Sequence, residues 1–274
     1  MTNQHSKASA FQALHQRAGA FIIANPWDAG SARLLAGLGF EALATTSLGV
    51  AANHGARGAS LAQILENCRV IAEATPLPVN ADLENGGGDS PDMAARAIAL
   101  AAEAGAVGGS IEDFTGDAKT PIYDFSLSVE RIAAAVEAAR ALPFPFMVTA
   151  RAENYLYGRK DLDDTVHRLQ AFSEAGADVL YAPGVYDLDT IRTVVAAVDK
   201  PFNLVMGFAD QSLTVPQLAE AGVKRISLGG GLARIAINAT LRAAQDMIEE
   251  GRFPSLRDAV PMKTAWELWK TGAA

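Results

Sequence analysis

Polar and apolar side chains alternate in the segment PVNADLE, residues 78–84, which is followed by Asn85 and three consecutive glycines. Successive side chains of a strand point to opposite faces, so Asp82 and Glu84 share one face with Asn80, and the other face is apolar. Two neighbouring carboxylates repel each other, and both are costly to leave ionised and unpaired inside a protein. The pattern predicts that a positive group lies between them.

More polar residues stand where other predicted strands end. With the first pair, they form a set dominated by acids: Thr46, Ser47, Asp82, Glu84, Glu112, Asp113, Arg151, Glu153 and Asn203. Oxygen donors without neighbouring His or Cys favour Mg²⁺, or Mn²⁺, over zinc. The set therefore indicates a magnesium site, with loop capping or pairing to arginines as the alternative.

Arg151 is the one cation of this set. Its planar guanidinium is suited to bidentate binding of a substrate carboxylate. Pairing with Glu153 or Glu112 is an equally open interpretation. The glycines 229–231 follow the last predicted strand, where their N–H groups either bind an anion or form a tight turn.

These residues need a scaffold that brings strand ends together, and the chain provides eight short apolar runs separated by amphipathic ones. The runs are FIIANP, ALATTS, PVNADLE, VGGSIED, FMVTARAE, DVLYAPG, FNLVMG and RISLGG. Several intervening helical patterns end in a predicted C-cap glycine, at Gly39, Gly105, Gly176 and Gly222. Eight such repeats, without a G-x-G-x-x-G loop after the first strand, favour a (β/α)8 TIM barrel over an open sheet.

Size and charge narrow the class of protein. The 274 residues are read as one barrel domain, with a helical lead-in at 1–19 and a helical extension at 254–274. A net charge of −8 argues against nucleic acid and anionic membranes as partners. A single cysteine, Cys68, fits a reducing compartment, and neither a signal peptide nor a membrane-length apolar run is seen. The prediction is a cytoplasmic protein.

In several stretches the chain resembles the isocitrate lyase/phosphoenolpyruvate mutase superfamily, particularly its short phosphonomutase-like branch, which includes carboxyvinyl-carboxyphosphonate phosphorylmutase-like proteins. The matching stretches are NPWDAGSARLLAGLGFEALATTSLGVA, LPVNADLENGGG, GSIED, TARAE, EAGADVLYAPG and GVKRISLGG. Their order and spacing together make the match specific. The resemblance implies a Mg²⁺-dependent barrel enzyme and a homo-oligomer, tetramer or dimer, whose last helix swaps between subunits.

The resemblance also implies roles for individual residues. Three acids match the metal shell of the family: Asp82, Glu84 and Glu112. Arg151 matches the arginine that binds the substrate carboxylate and the developing enolate. Three residues match the loop after strand two, whose N–H groups hold the oxyanion: Thr46, Ser47 and Leu48. Asn203 matches a substrate contact on strand seven.

The chain departs from the family at its reactive positions. It has no cysteine in the loop after strand four, Gly58 where relatives have a loop aspartate, and Pro183 and Gly184 at the end of strand six. The leading hypothesis is a lyase that cleaves a C–C bond of a small 2-oxo or 2-hydroxy acid through a metal-stabilised enolate, as in decarboxylation of an oxaloacetate-like substrate. A phosphonopyruvate mutase or hydrolase, and a degenerate barrel that only binds a dicarboxylate, are the alternatives.

Overall fold

A computed structural model describes residues 4–207 and 211–273. Its strands are β1 (Phe21–Ile23), β2 (Leu43–Ala44), β3 (Val79–Asp82), β4 (Gly108–Glu112), β5 (Met147–Arg151), β6 (Val179–Tyr181), β7 (Phe202–Val205) and β8 (Arg225–Ser227). Parallel pairing runs in the order β1-β8-β7-β6-β5-β4-β3-β2, and a parallel bridge from Ala24 to Leu43 joins the two ends of this row. The sheet closes into the predicted (β/α)8 barrel, and each predicted strand is present in a shorter form.

Eleven α-helices accompany these strands in the described part of the chain. They are α1 (Gln4–Gln16), α2 (Ala29–Gly37), α3 (Ser47–Asn53), α4 (Leu61–Ala74), α5 (Pro91–Glu103), α6 (Phe125–Arg140), α7 (Leu162–Glu174), α8 (Leu188–Ala197), α9 (Val215–Glu220), α10 (Gly231–Glu250) and α11 (Met262–Thr271). None of these helices is long and apolar enough to cross a lipid bilayer.

The main core lies between the strands and the surrounding helices. Small residues dominate the helix side of this layer, for example Ala94, Ala97 and Ala101 on α5, which are fully buried. Small side chains let a helix approach the outward-facing strand residues, such as Val79 and Ala81, closely enough to exclude water. The apolar face predicted for the 78–84 segment is therefore the helix-facing side of β3.

The first helix covers the amino-terminal end of the barrel. Phe11 of α1 is fully buried and packs with Phe21, Val107 and Met147, which belong to the lower part of the barrel. His15 packs edge-on against Phe11, and burial lowers its pKa to about 3. The lead-in predicted for residues 1–19 is thus a helix that seals the barrel from below; residues 1–3 lie outside the described part.

The carboxyl-terminal region does not pack as a simple extra layer. In α10, only Ala233 is buried, and Ile235 and Ile248 are 65% and 87% exposed. In contrast, α11 packs on α2 of the same chain, where Trp269 Nε1 donates a hydrogen bond to Gly30 O at 3.0 Å. The described chain therefore leaves apolar side chains of α10 open to solvent, and α11, although it packs on α2, also exposes Met262 and Trp266.

The four predicted C-cap glycines all adopt the left-handed backbone conformation, with φ between 87° and 98°. A Cβ atom at Gly39 would meet nothing within 4 Å, whereas one at Gly222 would lie 2.6 Å from Val195 Cγ1. We expect Gly39→Ala to lower the free energy of unfolding by about 1 kcal/mol, because only backbone strain is added. Gly222→Ala adds a clash and should cost more. Urea unfolding of both variants tests this, and equal losses would contradict it.

Candidate active site

One guanidinium connects three carboxylates at the carboxyl end of the barrel. Arg151 Nη1 lies 2.8 Å from Asp82 Oδ1, Nη2 lies 3.0 Å from Glu112 Oε2, and Nε lies 2.8 Å from Glu153 Oε1. Burial lowers the pKa of Arg151, but Glu112, Glu153 and Asp82 outweigh it and raise that pKa well above its ordinary value. The positive group predicted between the acids is, in this structure, Arg151.

Strand register places these groups. In the β4–β5 pair Glu112 lies beside Arg151, and in the β3–β4 pair Asp82 lies beside Ser110. The carboxyl ends of parallel strands meet at one end of a barrel, so residues far apart in sequence become neighbours. Asp82 is also tied to the end of β2, because its Oδ2 accepts a hydrogen bond from the Ser47 N–H at 2.9 Å.

Glu84 reaches the same site by leaving the strand. It has φ of 51°, the one left-handed non-glycine residue of the described chain. Such a conformation is uncommon for residues other than glycine and is found preferentially at functional sites. Burial and the neighbouring Asp82 raise the pKa of Glu84, while a hydrogen bond with the Ser47 side chain opposes this.

Glu153 supports Arg151 from behind. Its side chain is fully buried, and its Oε2 has no hydrogen-bond partner among the described residues. Its backbone N–H donates to Asp113 Oδ1 at 2.8 Å, and Asp113 in turn pairs with Arg168 Nη1 at 3.1 Å. Burial raises the pKa of Glu153 to about 7 and that of Asp113 to about 6. The Glu153 carboxylate is therefore only partly neutralised by its neighbours.

The charge of this cluster is unbalanced. Asp82, Glu84, Glu112 and Glu153 face the single positive charge of Arg151, and burial raises the pKa of Glu112 well above its ordinary value. An added divalent cation would offset the excess, and hard oxygen donors match Mg²⁺ or Mn²⁺. The donor set thus fits such an ion, although no three acids of the described chain already converge as metal ligands.

An open-topped cavity of about 270 Å³ contains the site. All eight residues predicted for catalysis, substrate binding or metal binding border it: Thr46, Ser47, Leu48, Asp82, Glu84, Glu112, Arg151 and Asn203. Thr46 caps the short helix α3, so the predicted loop after strand two is in fact the first turn of a helix. The glycines 229 and 230 also border the cavity.

Tyr181, a candidate proton carrier, borders the cavity, and so do two residues that the strand-end pattern does not identify, Tyr157 and Arg225. Tyr181 lies under Arg151, with the guanidinium carbon 5.0 Å from its ring centre. Tyr157, in the loop after β5, stacks on Phe114 with ring centres 3.8 Å apart. Arg225 borders the cavity from the start of β8, whereas the predicted site residues stand at the carboxyl ends of their strands. The sequence could have identified Arg225, because residues two positions apart on a strand face the same side, and Ser227 of β8 faces the barrel interior.

The departures from the family pattern are also located. Gly58 is exposed and does not border the cavity, and Gly184 packs against the backbone of Tyr155 and Leu156, where an added Cβ would lie 2.8 Å from Leu156 N. Four residues are candidates to replace the missing proton carriers of the family: His54, Tyr155, Lys119 and Tyr181. Of these four, only Tyr181 borders the cavity.

A closed parallel barrel with a cluster of acids and an arginine at its carboxyl end is the arrangement of a (β/α)8 barrel enzyme, whose active site lies at that end. The family model for phosphoenolpyruvate phosphomutase matches residues 11–248. The chain belongs to this family, within the isocitrate lyase/phosphoenolpyruvate mutase superfamily that the sequence resembles.

Individual relatives agree with this placement. A crystal structure of a Burkholderia cenocepacia J2315 protein described as a lyase/mutase is 58% identical, covers 96% of this chain and 95% of its own, and superposes with a TM-score of 0.93. The oxaloacetate decarboxylase of Chromohalobacter salexigens is 30% identical over 91% of this chain and 87% of its own. The 2-methylisocitrate lyase of Escherichia coli is 28% identical over 97% and 92%. Superfamily activity on small carboxylates is therefore supported for this chain.

The partly unpaired Glu153 carboxylate leads to a prediction for the metal-free protein. Its folded pKa of about 7 lies above the ordinary glutamate value of 4.5, so the folded state holds the proton more tightly than the unfolded state. This contribution to stability is complete below about 4.5 and is lost as pH rises towards 7. We expect Glu153→Gln, which stays neutral, to lose less stability than wild type between pH 5 and 8.

Urea unfolding at several pH values measures the difference between the two proteins. Exposed Glu137→Gln serves as the matched control and should follow wild type. Parallel pH curves for wild type and Glu153→Gln would show that the buried carboxyl does not titrate in this range.

Proposed function

We propose that this protein is a Mg²⁺-dependent lyase that cleaves a C–C bond next to the 2-oxo or 2-hydroxy carboxylate of a small acid. One observation carries the proposal: Asp82, Glu84, Glu112 and Arg151 border one open-topped cavity at the carboxyl end of the barrel. Membership in the phosphoenolpyruvate phosphomutase family supports it. The relatives named oxaloacetate decarboxylase and 2-methylisocitrate lyase indicate the kind of acid.

The proposed roles of the residues follow from their charges. Asp82, Glu84 and Glu112 would hold the cation, directly or through water, and the ion would supply Lewis-acid polarisation of the substrate oxygen. Arg151 is fixed by three carboxylates and needs little reorganisation to face a developing negative oxygen. N–H groups in the first turn of α3 lie at the same cavity, where Leu48 and its neighbours would orient the carboxylate.

The rest of the cavity lining favours decarboxylation over reactions that need strong proton transfer. Among its described lining residues there is no His, Lys or Cys. Tyr157 and Tyr181 do border it, and burial raises the pKa of both phenols, which stay protonated at neutral pH. Loss of CO₂ from a 2-oxo diacid leaves an enolate that needs only a proton from water or a weak acid. Oxaloacetate-like acids are therefore the favoured substrates.

An assay with a panel of acids tests this function. Purified protein with Mg²⁺ or Mn²⁺ is incubated with oxaloacetate, methylisocitrate, 2,3-dimethylmalate or phosphonopyruvate, and pyruvate release is followed by a coupled enzyme. We expect metal-dependent turnover, fastest with an oxaloacetate-like acid. Turnover of phosphonopyruvate alone would assign P–C chemistry instead. Binding of all four acids without product would identify a non-catalytic barrel.

Replacing one proposed metal ligand tests whether the site is needed for catalysis in a protein that still folds. We expect Asp82→Ala to lower kcat at least 100-fold, because it removes a ligand and frees Arg151 from one of its three acids. The control is Asp92→Ala, which removes a surface carboxylate on α5 away from the cavity. An Asp82→Ala protein that folds normally and keeps wild-type kcat would contradict the proposed site.

We further propose that the protein is a homo-oligomer in which α10 packs on a neighbouring subunit. The exposed apolar residues Ile237, Leu241 and Ile248, which lie on one face of α10, support this proposal, because monomeric proteins rarely leave a large apolar patch in water. Light scattering should give a mass of two or four chains. The double variant Ile237→Lys with Leu241→Lys should lower that mass, whereas Glu249→Gln should not. A monomeric wild type would contradict the proposed packing of α10 on a neighbouring subunit.

A further inference from the structure

Arg225 lies at the floor of the cavity without an acidic partner. Its side chain is buried, and among the described residues no carboxylate lies within salt-bridge distance of it. Nε donates to Asn203 Oδ1 at 2.7 Å and Nη2 donates to Thr149 Oγ1 at 2.9 Å. The third nitrogen, Nη1, has no hydrogen-bond partner in the described chain. Both hydrogen-bonding neighbours are neutral.

The other buried arginines show how unusual this arrangement is. Arg151 contacts three acids, and Arg168 pairs with Asp113 and Asp164. Arg131 has no acidic partner within salt-bridge distance, and its Nε also lacks a hydrogen-bond partner in the described chain. Its two terminal nitrogens, however, donate to three backbone carbonyls, those of Asn85, Gly88 and Ser90. Buried charges are normally paired or fully hydrogen-bonded, because an unpaired one loses its hydration without replacement. A purely structural arginine would be expected to resemble these three.

Arg225 keeps its charge at neutral pH. Burial lowers its pKa to about 9, which is still above 7. His15 contributes no balancing or additional charge, because its pKa of about 3 leaves it neutral. The floor of the cavity therefore carries a positive charge, with Asn80, Ser110 and Ser227 as neutral polar neighbours in the lining.

The cavity floor at Arg225 lies below the acidic site at Arg151, by one layer of inward-facing strand residues. Thr149, which accepts from Arg225, stands two residues before Arg151 on β5. Two residues of a strand rise about 7 Å. A four- or five-carbon diacid has a comparable length, so one molecule can reach both levels of the cavity.

We propose that Arg225 forms an anion subsite at the cavity floor and binds a second negatively charged group of the substrate. The inference rests on the proposed function, which accounts for the first carboxylate at Arg151 and the acids. It predicts a ligand preference: dianionic acids bind more tightly than acids with a single carboxylate. Asn203 is then a positioning residue, since its carbonyl orients Nε of Arg225 while its amide N–H donates to Ser227 Oγ at 3.0 Å.

Two hydroxy acids with the same chelating end provide the test. Malate and lactate differ in that malate carries the second carboxylate. Isothermal titration calorimetry with Mg²⁺ should show malate binding to wild type at least 10-fold more tightly than lactate. In Arg225→Gln the ratio should fall below 3, with lactate affinity within twofold of wild type. Arg225→Lys should keep an intermediate ratio, and the exposed Arg192→Gln should match wild type.

The possible failures are distinguishable. Oxalate, which is too short to span both levels, serves as the probe of the upper site. If wild type with Mg²⁺ does not bind oxalate, the proposed function fails. If oxalate binds but wild type does not prefer malate over lactate, the subsite is excluded, and this result requires no variant to fold. Equal weakening of both hydroxy acids in Arg225→Gln would assign that residue a purely structural role.

Discussion

The organisation of the site depends on one guanidinium that three carboxylates share. Arg151 satisfies Asp82, Glu112 and Glu153 together, yet a single positive charge cannot neutralise three buried negative ones. Burial, together with repulsion among the neighbouring acids, raises the pKa values of Glu112 and Glu153. Proteins retain unbalanced buried charge mainly where that charge is used, so the imbalance supports the proposal of a cation at this site.

The barrel makes this arrangement rigid. Asp113 receives the Glu153 N–H and is itself held by Arg168 from α7, so the layer behind the site is anchored to a surrounding helix. On the other side, the Ser47 N–H fixes Asp82 from the start of α3. A guanidinium held from several elements keeps one orientation, which is what electrostatic stabilisation of a developing charge requires.

Much of the fold and of the upper site could be predicted from the sequence, because both follow from local patterns. Alternation in residues 78–84 assigned Asn80 and Asp82 to the barrel interior, and the glycines closing the helices were correct at Gly105 and Gly176. What lies between the acids could not be decided, since arginine pairing and cation binding require the same residues. Pairing distances depend on the register between β4 and β5, which no local pattern specifies.

Contacts between residues far apart in sequence were harder to predict, because local patterns do not specify them. Arg225 stands at the amino-terminal end of β8, and only the tilt of the strands in a closed barrel brings its guanidinium next to Thr149 of β5. The exchange of the last helix between subunits, which the family resemblance implies, stays a prediction: within the described chain α11 packs on α2, and both α10 and α11 carry exposed apolar residues. Both helices are amphipathic, and amphipathicity alone does not say which neighbour covers the apolar side.

The two ends of the cavity have opposite character, and this polarity constrains the reaction. The upper level collects acids and Arg151, which suits a cation and the reacting end of a substrate, whereas the lower level carries the unpaired charge of Arg225. A diacid held at both levels would place the bond between its anionic groups away from bulk water. Releasing CO₂ or a second acid from that position requires charge stabilisation above all, and the described lining offers charged groups and hydroxyls rather than a strong general acid.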